Sequence, residues 1–130
     1  SDIVEALGTN LSLFFKEEKA EQVVFTKDDF FVDEQDNAII HWIVPNAQKN
    51  DMEPILLELH SKGKSHEITP HEGEEFAYVI AGKIDLVIEG ETHTLSKGET
   101  FYIQGSKEHV LTNPYQQTAK VIWVCTPPIF

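Results

Sequence analysis

Two histidines and one glutamate in this chain have types and spacing suited to binding a metal ion. His71 and Glu75 lie four residues apart, where a Pro-His-Glu-Gly turn leads into a segment with the alternating pattern of a β-strand, which begins at Glu75. His109 lies in a later segment that is also predicted to be a strand. Two imidazoles and one carboxylate that converge can form a facial triad with open positions for water or a small ligand. The sequence therefore predicts a site for a single divalent metal ion, with Zn, Fe, Ni and Mn not distinguished.

Two other arrangements of these side chains stay open. The three groups could pair with one another and with water without a metal, or an organic cation could take the place of the metal. A carboxylate withdrawn from water costs several kcal/mol unless it is paired or coordinated. Glu75 must therefore meet a cation, a proton or water.

The elements that position these residues read as short strands, with no helix between them after residue 20. Alternating apolar patterns and Gly-, Asn- and Pro-containing turns predict an antiparallel sandwich or barrel. The predicted strands are Val23–Thr26, Phe30–Val32, Ala38–Val44, Met52–His60, Glu75–Ala81, Ile84–Glu89, Thr92–Leu95, Thr100–Gln104, His109–Thr112 and Thr118–Cys125. By strand parity, Ala77 and Val79 should face inward with Glu75, and Leu111 and Asn113 with His109.

Two stretches resemble the sequence motifs of the cupin family. The first resemblance rests on Gly63, Thr69-Pro70-His71, Glu75 and Gly82, and the second on Gly98, Gln104, His109 and Asn113. The resemblance implies an all-β fold, a double-stranded β-helix or jelly-roll barrel with a short N-terminal helical segment, and the metal set His71, Glu75 and His109. The residues predicted to contact a bound ligand are Thr69, Ala77, Gln104, Leu111 and Asn113.

The sequence departs from the family pattern at both motifs. Thr69 stands where the first of two histidines is usual, and Gln104 and Ser106 replace the usual proline and glycine. Threonine is too weak a donor to replace an imidazole, and it leaves room for a ligand. The resemblance therefore implies at most three protein ligands to a metal, or a site that has shifted towards an organic ligand.

The first residues have helical rather than strand character. Gly8 suits a position just after a helix, and Asn10 suits the N-cap of the next. The phrase Ala6–Phe15 resembles the closing helices of a lambda-repressor-like helix-turn-helix domain. We therefore expect residues 1–19 to be the tail of a missing DNA-binding domain and residues 20–130 to be a cupin domain. The alternative is a helical arm that packs on the barrel.

Composition narrows the class of protein. The formal net charge of −12 argues against nucleic-acid contact by this chain alone, because Lys and Arg supply most affinity for phosphate. No apolar run approaches the roughly 20 residues that span a bilayer, and the acidic N-terminus does not resemble a signal peptide. The lone Cys125 cannot form an internal disulfide, which fits a cytoplasmic protein, and its apolar neighbours predict a buried side chain.

Two functions compete. Regulators with a lambda-repressor-like head and a cupin tail share the phrases at 72–76 and 126–130, so the resemblance implies a domain that senses a small effector. Some relatives of this kind answer to polyamines or amino acids, and the resemblance also implies a homodimer. The alternative is a small metal-dependent enzyme, a dioxygenase, epoxidase or isomerase. No catalytic acid or base is identified in the sequence, so an enzyme is the less favoured reading.

Overall fold

Short alternating segments become nine strands in the computed structural model, which describes residues 22–130. Every strand pairing within the two resulting sheets is antiparallel. The strands are β1 (Phe31–Gln35), β2 (Ala38–Trp42), β3 (Glu53–Leu59), β4 (Glu74–Ala81), β5 (Lys83–Ile88), β6 (Glu91–Ser96), β7 (Thr100–Gln104), β8 (His109–Thr112) and β9 (Ala119–Thr126). Single turns of 3₁₀-helix lie at Lys27–Asp29 and Ala47–Lys49.

The larger sheet has the order β1-β2-β3-β9-β4-β7, and the smaller has the order β6-β5-β8. Along β3, β4 and β9, alternate side chains are buried, as period-two apolar patterns require. The inward side chains of both sheets form one core: Ile55, Leu57, Leu59, Ala77, Val79, Ile84, Leu86, Leu95, Phe101, Leu111, Ala119, Val121, Trp123 and Cys125. The predicted all-β jelly-roll fold is confirmed.

Two predicted elements near the N-terminus differ from the structure. Val23–Thr26 forms no strand, and Val23 is 84% exposed. Its β-branched residues favour extended backbone, but a strand also needs a partner, and none of the described strands pairs with it. The strand predicted at Phe30–Val32 runs instead from Phe31 to Gln35. The helical segment predicted at residues 1–19 lies outside the described residues.

Cys125 is fully buried on the inner face of β9, as its neighbours predicted. Burial raises the pKa of its thiol, and the negative charges of Glu75 and Glu53 raise that pKa further. A thiol held in its protonated form is a packing residue rather than a nucleophile. Within residues 22–130, no helix is long and apolar enough to cross a membrane.

Candidate functional site

The loop that carries His71 is held against the strand that carries His109. Backbone hydrogen bonds join the two segments along their length: Ser65 N donates to Leu111 O at 2.8 Å, and Ile68 N to His109 O at 2.8 Å. At the far end, His71 N donates to Gly105 O at 2.8 Å. This pairing brings the first predicted motif beside the second.

The three side chains predicted to bind metal do converge, although Glu75 lies on β4 of the larger sheet, His109 on β8 of the smaller sheet and His71 in a loop. His71 Nε2 lies 2.7 Å from Glu75 Oε2, and His109 Nε2 lies 2.7 Å from Glu75 Oε1. Glu75 and His109 are buried, whereas His71 is partly open to the outside. One carboxylate therefore bridges two imidazoles, each through its own oxygen.

The other nitrogen of each ring decides where the protons are. His71 Nδ1 donates to Glu72 O at 2.9 Å, and His109 Nδ1 donates to Lys107 O at 2.8 Å. Carbonyl oxygens only accept, so both Nδ1 atoms carry protons. In both rings, Nε2 is therefore the nitrogen that faces Glu75.

The electrostatics of Glu75 and His109 reflect this pairing. Burial acts to raise the pKa of the Glu75 carboxyl, but hydrogen bonds from His109 and His71 outweigh it and leave the pKa below its ordinary value. Burial acts to lower the pKa of His109, but the bonds to Glu75 and to the Lys107 carbonyl leave it raised. Each partner favours the charged form of the other.

The donor set suits a divalent cation. With protons fixed on both Nδ1 atoms, a neutral ring presents its Nε2 lone pair towards Glu75, which is the form in which histidine binds metal. Among residues 22–130, however, no group of three His, Cys, Asp or Glu side chains is arranged in this structure so that it could hold a metal ion. The described arrangement is a hydrogen-bonded one.

Sequence reasoning missed two residues that position this cluster. Trp123 was not among the predicted site residues, yet its Nε1 donates to Glu75 Oε1 at 2.9 Å. Gly105 lies against the His71 ring, and an added Cβ there would come 2.6 Å from His71 Nε2. Neither role has a signal in the local sequence, because each depends on which strands become neighbours.

A cavity of about 390 Å³ opens beside His71. Its lining combines apolar and aromatic residues with the acidic residues Asp33 and Glu67 and the histidines His66 and His71. The lining residues are Asp33, Ile40, Trp42, Ile55, Leu57, Ser65, His66, Glu67, Ile68, Thr69, His71, Trp123, Ile129 and Phe130. The volume and the mostly apolar wall are typical of a small-molecule site.

Of the five residues predicted to contact a ligand, Thr69 lines this cavity and the other four do not. Ala77 and Leu111 face inward as predicted, but they are enclosed in the core. Gln104 points to the outer face of β7, where it donates to the Tyr102 hydroxyl. Asn113 is buried, and its amide serves the turn that follows β8 by donating to Leu59 O and Gln117 O.

The remaining histidines divide between the cavity and structural contacts. His66 lines the cavity, whereas His60 lies against the Thr118 hydroxyl at 3.2 Å. His41 pairs with Glu58 at 3.0 Å. His93 is exposed and lies 3.5 Å from Glu91.

Comparison with known proteins finds similarity along most of the chain. A family model described as a cupin domain matches residues 55–125. The HTH-type transcriptional regulator PuuR of Escherichia coli is 29% identical over 132 residues, which cover 98% of this chain and 71% of that protein.

Solved structures give the same fold. The cupin domain of an XRE family transcriptional regulator from Enterobacter cloacae matches with a TM-score of 0.64 and 23% identity, over 72% of this chain and 100% of that one. A predicted oxalate decarboxylase from Thermotoga maritima matches with a TM-score of 0.69 and 12% identity, over 80% of this chain and 98% of that one.

Proposed function

This chain belongs to the cupin domain family, and we propose that it is the effector-sensing domain of a DNA-binding transcriptional regulator. The observation that carries the proposal is the cavity beside His71, in a chain that resembles the regulator PuuR along 98% of its length. DNA would be bound by a separate domain, because the net charge of −12 disfavours contact with phosphate. Such a regulator would act in the cytoplasm.

The lining of the cavity favours an effector that carries an amine. Asp33 and Glu67 supply negative charge to the lining, and among residues 22–130 no lysine or arginine lines the cavity. Trp42, Trp123 and Phe130 supply aromatic rings, whose faces attract cations. An amine or an amino acid with an apolar body would match both the acidic and the apolar residues.

We also propose that His71, Glu75 and His109 hold one divalent metal when it is available. The support is the donor chemistry: two imidazoles with fixed tautomers and a carboxylate that already bridges them. A bound metal would supply a positive centre at the inner end of the cavity, next to His71. The metal would have to displace the proton that His109 shares with Glu75, so its affinity should rise with pH.

A homodimer would fit a sensor that reads a two-fold symmetric DNA site. The outer face of the larger sheet supports this proposal. Phe76, Tyr78 and Tyr102 are 43%, 41% and 58% exposed there, and Phe76 pairs directly with Tyr102 across β4 and β7. A second copy that covered these rings would bury aromatic surface of the kind found at protein interfaces.

A thermal-shift screen of amines, amino acids and sugars, with and without a chelator, tests the sensing proposal. An effector at about 100 times its dissociation constant should add about 2.7 kcal/mol to the free energy of unfolding. In the natural full-length protein, the same compound should change the affinity for DNA. A compound that stabilises the domain and leaves DNA affinity unchanged would refute the regulatory role.

A second candidate is a metal-dependent enzyme, favoured by the convergence of two imidazoles and a carboxylate and by the fold shared with the predicted oxalate decarboxylase. The proton-holding groups on the cavity side would be His71 and His66. For this candidate, the metal-loaded protein should consume a compound that binds it, and Glu75→Gln should remove metal and turnover together. Binding without consumption would leave the sensor as the function.

A further inference from the structure

The last residues of the chain, Pro127–Phe130, here called the C-terminal arm, form part of the cavity wall. Ile129 and Phe130 both line the cavity. The Phe130 ring meets the Trp123 ring edge to face, with 4.9 Å between centroids. The arm therefore covers the same tryptophan that donates to Glu75.

One buried carboxylate holds the end of this arm. Phe130 N donates to Glu53 Oε1 at 2.7 Å. Glu53 lies at the start of β3, only 1% exposed, and its second oxygen, Oε2, is buried with no hydrogen-bond partner among the described residues. A carboxylate is costly in an apolar interior, where a leucine would pack better. Among the described residues, the Glu53 carboxylate accepts one hydrogen bond, the one from Phe130 N.

The arm also fits closely against the turn between His71 and Glu75. An added Cβ at Gly73 would come 2.7 Å from Pro127 Cδ, so only glycine lets the arm cross there. Gly73 lies between His71 and Glu75 in the sequence. The arm thus touches the cavity, Trp123 and the turn that carries the cluster.

We propose that the C-terminal arm is a closing wall of the effector cavity, with Phe130 as a specificity-determining residue and Glu53 as the positioning residue that holds it. The occupant it encloses is the amine-bearing compound of the proposed function, on which this inference rests. A docked arm supplies part of the binding surface. Ligand binding and arm docking must therefore favour one another.

Hydrogen exchange of the Phe130 amide measures arm docking without any ligand. In Glu53→Leu the amide loses a charge-assisted acceptor, and its exchange should accelerate about ten- to a hundredfold. Glu53→Gln is the matched control, because it keeps an oxygen acceptor; there the acceleration should stay below roughly fivefold. Amides in β9, such as that of Val121, should exchange as in wild type in both variants. Equal Phe130 exchange in the two variants would overturn the proposal.

A second variant keeps the inference testable if Glu53→Leu does not fold. Phe130→Leu retains the backbone donor and removes the ring that covers Trp123. In a Trp42→Phe background, which leaves Trp123 as the single tryptophan, acrylamide should quench the indole emission more strongly in Phe130→Leu. Unchanged quenching would show that the arm does not cover the cavity.

Hexylamine, with hexan-1-ol as its uncharged control, tests the coupling to the cavity. Hexylamine affinity should fall about tenfold in Glu53→Leu and change little in Glu53→Gln. Equal affinity in both variants would overturn the role of the arm in binding. Failure of hexylamine to bind the wild-type protein would count against the proposed effector alone, since the exchange of Phe130 is measured without ligand.

Discussion

Replacing Glu75 by glutamine (E75Q) should destabilise the metal-free protein strongly, although the two side chains have nearly the same shape. Glu75 accepts three hydrogen bonds, from His71, His109 and Trp123. The amide of E75Q can accept from Trp123 and His109 and can donate to the lone pair of a neutral His71. It carries no negative charge, however.

The conflict created by E75Q falls on His109. This ring is buried and donates from Nδ1 to Lys107 O. To keep that bond and also donate to the new amide oxygen, it would need a positive charge that nothing nearby neutralises. It should become neutral and lose one of its two bonds. Leaving one buried group unpaired and weakening the others costs about 2–4 kcal/mol, close to the range for a broken buried ion pair.

Urea unfolding with a chelator present measures this cost, and Glu58→Gln is the matched control. Glu58 also meets a histidine, His41, at 3.0 Å, but both side chains are about 20% exposed. Loss of that pair should cost about 0–1 kcal/mol. Equal losses in the two variants, or a loss below about 1 kcal/mol in E75Q, would refute the account of the buried cluster.

The cost should also depend on pH. The pKa of Glu75 is lowered, so its contribution is present above its ordinary value of 4.5 and is lost as the pH falls through the lowered value. The pKa of His109 is raised, so its contribution is present below 6.5 and is lost as the pH rises through the raised value. The difference in free energy of unfolding between wild type and E75Q should therefore be largest between pH 4.5 and pH 6.5 and shrink at higher pH. A difference that grows as the pH rises above 6.5 would contradict the assignment.

Three further predictions concern the same cluster. Gly105→Ala should displace the His71 ring and cost about 1–3 kcal/mol in urea unfolding, because the new methyl group meets the ring; an unchanged stability would refute the close contact. Trp123→Phe should keep the apolar surface, lose the hydrogen bond to Glu75, and cost about 1–2 kcal/mol by the same assay, and no loss would show that the bond contributes nothing. Zinc binding near pH 6 should release protons, because zinc needs neutral imidazoles and the pKa of His109 is raised; calorimetry in buffers of different ionisation enthalpy measures this, and binding without proton release would contradict the pairing of His109 with Glu75.

The strands could be predicted from the sequence because alternation and turns are local patterns. The convergence of His71, Glu75 and His109 joins segments 34 residues apart, and it was predicted from the cupin-like spacing of the two motifs rather than from either segment alone. The same parity explains the placement of Gln104: with Phe101 buried, the residue three positions later on the strand must face outward.

The remaining features depend on contacts between distant segments. Trp123 reaches Glu75 only because β9 pairs with β4 in a register that places Trp123 opposite Ala77. The Glu53 carboxylate accepts its hydrogen bond from Phe130 N only when the arm folds back over β3. No local pattern specifies either contact, and inward-facing residues such as Leu111 could not be distinguished from cavity residues before the packing was known.

Ligand binding to wild type and to Thr69→Trp in parallel thermal melts tests the central claim most directly. Thr69 lies in a loop and lines the cavity, so a tryptophan there should fill the space that an effector needs without disturbing a strand. A compound that adds about 2.7 kcal/mol to the free energy of unfolding of the wild type, at 100 times its dissociation constant, should stabilise Thr69→Trp far less. Equal stabilisation of both proteins, or no stabilisation of the wild type by any amine, amino acid or sugar, would contradict the proposal that this cavity binds the effector.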